Sequence, residues 1–122
     1  VSSSAASDVY KRQGMNDHIR TPLYGAKHNI LPARQQNKSK NKFSVAGPIC
    51  ESADYFDKNF PYSLEEGELI VIGSSGAYGF SMSSNYNARL KPPEVLILNK
   101  KMALIRKRET FDDYIYEEIG LD

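Results

Sequence analysis

The pair Gly47-Pro48 most tightly constrains the path of this chain. Proline fixes its own φ and drives the residue before it out of helical space, so no regular element runs through this point. The preceding segment, Asn41-Lys42-Phe43-Ser44-Val45-Ala46, alternates Phe43 and Val45 with polar neighbours, as a half-buried strand does. The segment that follows, Ile49-Cys50-Glu51-Ser52-Ala53-Asp54, is then a loop at a strand end. It presents a thiol and a carboxylate side by side. A lone cysteine is commonly a small buried hydrophobe; placed here, Cys50 is also a candidate catalytic group.

Upstream, Arg20-Thr21-Pro22-Leu23-Tyr24-Gly25 predicts one helical turn closed by glycine. Arg20 and Tyr24 share a face of that turn. A guanidinium and a phenol so placed can clamp a carboxylate, although a solvated arginine beside a half-buried tyrosine is the commoner outcome. Residues 28–32 read as a short strand, and Gln35-Gln36-Asn37-Lys38-Ser39-Lys40-Asn41-Lys42 as a polar, basic, hairpin-type loop. No aromatic residue interleaves its lysines, so solvation explains it better than nucleic acid does. Residues 55–63 read as an aromatic loop ended by regular-pairing breaker Pro61. Leu69-Ile70-Val71-Ile72 lacks alternation and predicts a strand buried on both faces. It runs into Gly73-Ser74-Ser75-Gly76-Ala77-Tyr78-Gly79, where glycines let backbone amides approach an anion and Tyr78 offers a hydroxyl. Val95-Leu96-Ile97-Leu98, a turn at Asn99-Lys100, and residues 101–108 predict a β-hairpin. A closing helix is capped by Thr110 with Asp113 and stopped by Gly120, with Phe111, Tyr114, Ile115 and Ile119 as its buried stripe. The reading is mainly β: about six strands and a terminal helix.

At 122 residues the chain is expected to be one domain. Lys+Arg 16 against Asp+Glu 15 leaves a net charge of +1, which gives no field for nucleic acid or a membrane surface. The longest apolar run, residues 69–72, is far too short to span a bilayer. A single cysteine excludes an intrachain disulfide, and His18 and His28 have no zinc-site spacing, so no metal is expected. The chain reads as soluble and cytoplasmic. Residues 1–13 are Ser/Ala-rich, then charged, and are expected to be a disordered leader foreign to the protein.

The run Gly47 to Asp54 resembles the cysteine motif of the diaminopimelate decarboxylases, which are pyridoxal-phosphate enzymes. The run Gly76-Ala77-Tyr78-Gly79-Phe80-Ser81-Met82-Ser83-Ser84-Asn85-Tyr86-Asn87 is closely similar to the cofactor-side segment of that family. Arg20 to Ala26 resembles its substrate-binding segment, with Thr21 inserted where the family places proline directly after arginine. The resemblance begins at Gly14 and implies the family's C-terminal β-domain, a barrel-like sandwich of the alanine-racemase type, over residues 14–122. In the family a (β/α) barrel precedes this point, so the chain is expected to be a C-terminal fragment, inactive alone.

The implied reaction is decarboxylation of meso-diaminopimelate to L-lysine, with pyridoxal phosphate as electron sink. Cys50 matches the proton donor, and a free thiol is mostly protonated at neutral pH. Glu51 matches the residue holding the distal end of the substrate. Arg20 and Tyr24 match substrate-carboxylate ligands, and Tyr78 matches a residue touching both cofactor and substrate. The Schiff-base lysine belongs to the barrel domain. The family works as a homodimer whose cysteine loop enters the partner subunit's site. Related ornithine- or arginine-type decarboxylases are alternatives, of which the ornithine type carries aspartate where Glu51 stands, and a carboxynorspermidine decarboxylase is a more distant one. Outside enzymes, the alternative is a stand-alone β-domain serving as an interaction module.

Overall fold

A computed structural model describes residues 8–10 and 12–120. The secondary structure is mainly β, in three small sheets. Strands β1 (Asp8–Tyr10), β3 (Phe43–Ala46) and β4 (Tyr55–Phe60) form the first, with β1 parallel and β4 antiparallel to β3. Strands β2 (Ile30–Pro32) and β5 (Ile70–Ile72) pair antiparallel, Ile30 opposite Ile72. Strands β6 (Glu94–Leu98) and β7 (Lys101–Arg106) make an antiparallel hairpin. Two short helices, α1 (Arg20–Tyr24) and α2 (Phe111–Tyr114), complete the elements that matter below.

The chain divides into two compact units, after Ser83. In the first unit Ile30, Val45, Phe56 and Phe60 form the buried core, flanked by Phe43, Tyr62, Leu64, Ile70 and Ile72. This core joins the β1–β3–β4 sheet to the β2–β5 pair. In the second unit, Glu109 accepts hydrogen bonds from Asn85 Nδ2 and the Lys91 amide, tying the start of the unit to the segment after β7.

Several sequence expectations are corrected. The segment expected to be an irregular aromatic loop contains β4: Phe56 and Phe60 lie four apart and both enter the core. Lys58 between them is exposed, and the register against β3 shifts twice, which hides the alternation. The basic tract at residues 35–42 is not a hairpin loop, because β2 and β3 belong to different sheets. β5 is not buried on both faces; Val71 is 54% exposed, since β5 has β2 as its neighbour and covers the core with Ile70 and Ile72. The C-terminal helix stops after four residues, and its expected buried stripe is exposed, Ile119 to 92%. Its cap does form: Thr110 accepts from the Asp113 amide, and Asp113 accepts from the Thr110 amide. Hydrogen bonds from Lys107 and Thr110 hold the Asp113 carboxyl well below the usual carboxylate range. Within the stretch read as a disordered leader, Asp8–Tyr10 forms β1; residues 1–7 and 11 lie outside the described residues.

Candidate functional site

The turn expected at Arg20 forms as α1, and Gly25 closes it with φ 66°, a left-handed conformation that glycine adopts without Cβ penalty. The Gly25 amide donates to the Thr21 carbonyl at 2.8 Å. Arg20 and Tyr24 therefore share a face, as their spacing requires. The Arg20 guanidinium lies 5.8 Å from the Tyr24 ring centroid and 5.3 Å from that of Tyr78. Both distances are within cation–π range. The fold thus brings together Arg20, Tyr24 and Tyr78 from segments more than fifty residues apart.

Tyr78 is delivered by a strained junction. Its φ is 64°, which a bulky residue rarely adopts. Next to it, a Cβ on Gly79 would come within 2.2 Å of the Ser75 carbonyl oxygen, so only glycine fits. The base of the junction is tied to the segment after α1. Gly73 N–H donates to Asn29 O at 2.8 Å, and His28 Nδ1–H donates to the Gly73 carbonyl at 3.0 Å. Ser75 Oγ donates to the Ile72 carbonyl at 2.9 Å. Tyr78 is left 62% exposed.

Cys50 and Glu51 occupy a second place, the hairpin loop at residues 47–54 between β3 and β4. The loop is closed at its base by Gly47 N–H donating to Asp54 O at 2.8 Å. Both Cys50 and Glu51 are exposed, and Ser52 Oγ donates to Glu51 Oε1 at 3.2 Å. No ring contact, hydrogen bond or ion pair joins either residue to Arg20, Tyr24 or Tyr78 among the described residues.

Sequence reasoning missed three polar residues that organise these segments. Asp54 is buried and accepts from the Met15 and Ile49 amides, each at 2.8 Å. His28 acts through the Gly73 carbonyl. His18 is buried between His28, with ring centroids 4.3 Å apart, and Phe56 at 6.1 Å. Only the polar position of Asp54 inside the cysteine motif signalled any of this. Among the described residues no group of three His, Cys, Asp or Glu is placed to hold a metal, and no helix is long and apolar enough to cross a membrane.

Residues 2–76 match the family model described as pyridoxal-dependent decarboxylase, C-terminal sheet domain. That match starts ahead of Gly14, where the sequence motifs place its beginning. A curated relative, the diaminopimelate decarboxylase of Neisseria meningitidis serogroup A, is 43% identical over 106 residues, covering 87% of this chain and 26% of the relative. The crystal structure of diaminopimelate decarboxylase from M. jannaschii superposes with a TM-score of 0.87 at 41% identity, over 93% of this chain and 26% of that one. The Helicobacter pylori enzyme, solved in complex with L-lysine, gives 0.82 at 43% identity, over 91% and 28% of the two chains. The chain therefore spans about a quarter of the length of the proteins it matches. With its matched segment exceeding half of its length, this chain belongs to the pyridoxal-dependent decarboxylase family, as its C-terminal sheet domain.

Proposed function

We propose that this chain supplies the sheet-domain part of a diaminopimelate decarboxylase, a cytoplasmic homodimer that converts meso-diaminopimelate to L-lysine and carbon dioxide. The observation that carries the reading is the convergence of Arg20, Tyr24 and Tyr78 on one place, together with an exposed Cys50-Glu51 pair on the β3–β4 loop. An exposed, unpaired thiol suits a reducing compartment.

The residues of the chain suit one side of a pyridoxal phosphate site: Tyr78, itself exposed, stands on a glycine-rich junction beside the Arg20 cation. When bound, the cofactor supplies the electron sink for the bond pair released with carbon dioxide. Arg20 binds a substrate carboxylate through parallel hydrogen bonds, and the Tyr24 hydroxyl adds a third. Glu51 pairs with the ammonium at the far end of the substrate, which fixes which of its two centres reacts. As the carbon–carbon bond breaks, the carbon that keeps the amino group takes a proton from the Cys50 thiol. A carbon–hydrogen bond forms, and the thiolate regains its proton from solvent. The resemblance of the Gly47–Asp54 run to the family's cysteine motif assigns the exposed β3–β4 loop to the partner subunit's site.

Complementation tests this assignment in the full-length enzyme that carries this chain. Cys50→Ala is expected to lower turnover by about 10²-fold or more, as loss of a placed general acid does. Mixed with a variant lacking the Schiff-base lysine, it should recover part of the activity, because each heterodimer holds one intact lysine and one intact cysteine loop. Mixed dimers as inactive as either parent would refute the shared site.

A further inference from the structure

Asp54 lies at the base of the β3–β4 loop and is 2% exposed. A carboxylate at that depth is costly unless its oxygens are satisfied. Oδ1 accepts from the Met15 amide and Oδ2 from the Ile49 amide, both at 2.8 Å. Charge-assisted bonds of this kind are stronger than neutral ones. The two amides belong to segments far apart in sequence: one leads into α1 and Arg20, the other immediately precedes Cys50.

The surroundings leave this carboxylate little freedom. A Cβ on Gly47 would fall 2.2 Å from Oδ2 and 2.4 Å from Oδ1, so only glycine admits it. The Ile49 side chain is buried over Gly14, where a Cβ would fall 2.4 Å from Ile49 Cγ1. The backbone is drawn tight as well, with Glu51 N–H donating to Ile49 O at 2.8 Å and Asp54 N–H to Glu51 O at 3.1 Å. Ile49 is thus held by its amide and its side chain, and Cys50, the next residue, is exposed.

Resting on the reading of Cys50 as the proton donor, we infer that Asp54 is a positioning residue that ties the cysteine loop to the segment entering α1. It touches neither substrate nor cofactor. Its carboxylate fixes where the Cys50 thiol and the Arg20 clamp are presented relative to the same sheet. In an assembly with a shared site, one buried group would then set the geometry of two half-sites at once.

The test uses the full-length enzyme that carries this chain, with Asp54→Asn, Cys50→Ala and the double variant. An amide keeps the side-chain volume but replaces one accepting oxygen with a donor that faces a backbone N–H. Turnover of Asp54→Asn should fall by about 10- to 100-fold, the cost of a small misplacement of a reacting group. On the Cys50→Ala background the same substitution should lower kcat by about threefold at most, since the thiol it places is already gone and only its effect on the Arg20 clamp is left. An equal proportional loss on both backgrounds would make Asp54 a general stabiliser and overturn the proposal.

Hydrogen exchange provides an arm independent of the chemistry. The Met15 and Ile49 amides should exchange at least about tenfold faster in Asp54→Asn, while Phe60 in the core keeps its protection. Unchanged exchange at both amides would overturn the tie. Full turnover in Cys50→Ala would overturn the reading of Cys50 as donor, and the exchange result would still decide whether Asp54 holds the loop. If Asp54→Asn does not fold, Gly47→Ala takes its place in both arms, because its methyl group displaces the carboxylate with the charge retained.

Discussion

Glu51 shows how much a single methylene can decide. Its carboxylate projects from an exposed loop and is steadied by Ser52 Oγ at 3.2 Å. Within the proposed reaction it must reach the far ammonium of a substrate whose near end is held elsewhere. Glu51→Asp in the full-length enzyme draws the carboxylate back and should raise the barrier by roughly 1–3 kcal/mol, as for a lost charged hydrogen bond. Unchanged kcat/KM for diaminopimelate would remove Glu51 from the site. At this scale the sequence shows the candidate groups but not what holds them. Cys50, Glu51, Arg20, Tyr24 and Tyr78 are all visible as residue types in motifs. Asp54 was visible only as the last letter of one, since its partner at Met15 is 39 positions away and no local pattern announces that contact. His28 and Gly73, 45 positions apart, are hidden for the same reason.

Among the elements, legibility follows how local the determinants are. The α1 turn, closed by Gly25, and the β6–β7 hairpin were readable because a few adjacent residues specify each. β4 was not, because its alternation is interrupted by exposed Lys58 and by two register shifts against β3. Apolarity marks the run containing β5 and the stripe after Thr110 for burial, but apolarity alone does not say what covers a surface. The hairpin turn offers a test of local determinants. Asn99 and Lys100 have φ of 50° and 62°, the left-handed pair that a two-residue hairpin turn requires. Asparagine tolerates this conformation, but lysine carries a Cβ penalty there. Lys100→Gly should stabilise the hairpin by about 0.5–1 kcal/mol, the relief of strain less the extra freedom glycine gives the unfolded chain. Slower exchange of the Leu98 and Lys101 amides would register the gain; equal or faster exchange would show that the turn is not strained.

At the scale of the whole molecule, the two units differ in how much of their own apolar surface they bury. The first encloses Val45 and Phe60 completely and surrounds them with side chains from both of its sheets. In the second, both strands of the hairpin are rich in apolar residues, yet Ile97 is 71% and Met102 77% exposed. A two-stranded hairpin without a covered face is marginal in water, because its ladder bonds are open to competition from solvent. Its ion pair between Arg106 and Glu94 lies at the surface and contributes little. In the 122-residue chain taken by itself, the β6–β7 amides should therefore exchange at least about tenfold faster than those of β3 and β4, which open only with the core. Hydrogen–deuterium exchange read by mass spectrometry on peptides from the two units distinguishes the outcomes. Equal protection in both would mean that the second unit owes its stability to contacts other than the burial of its own side chains, and the contrast between a self-sufficient first unit and a dependent second one would fall.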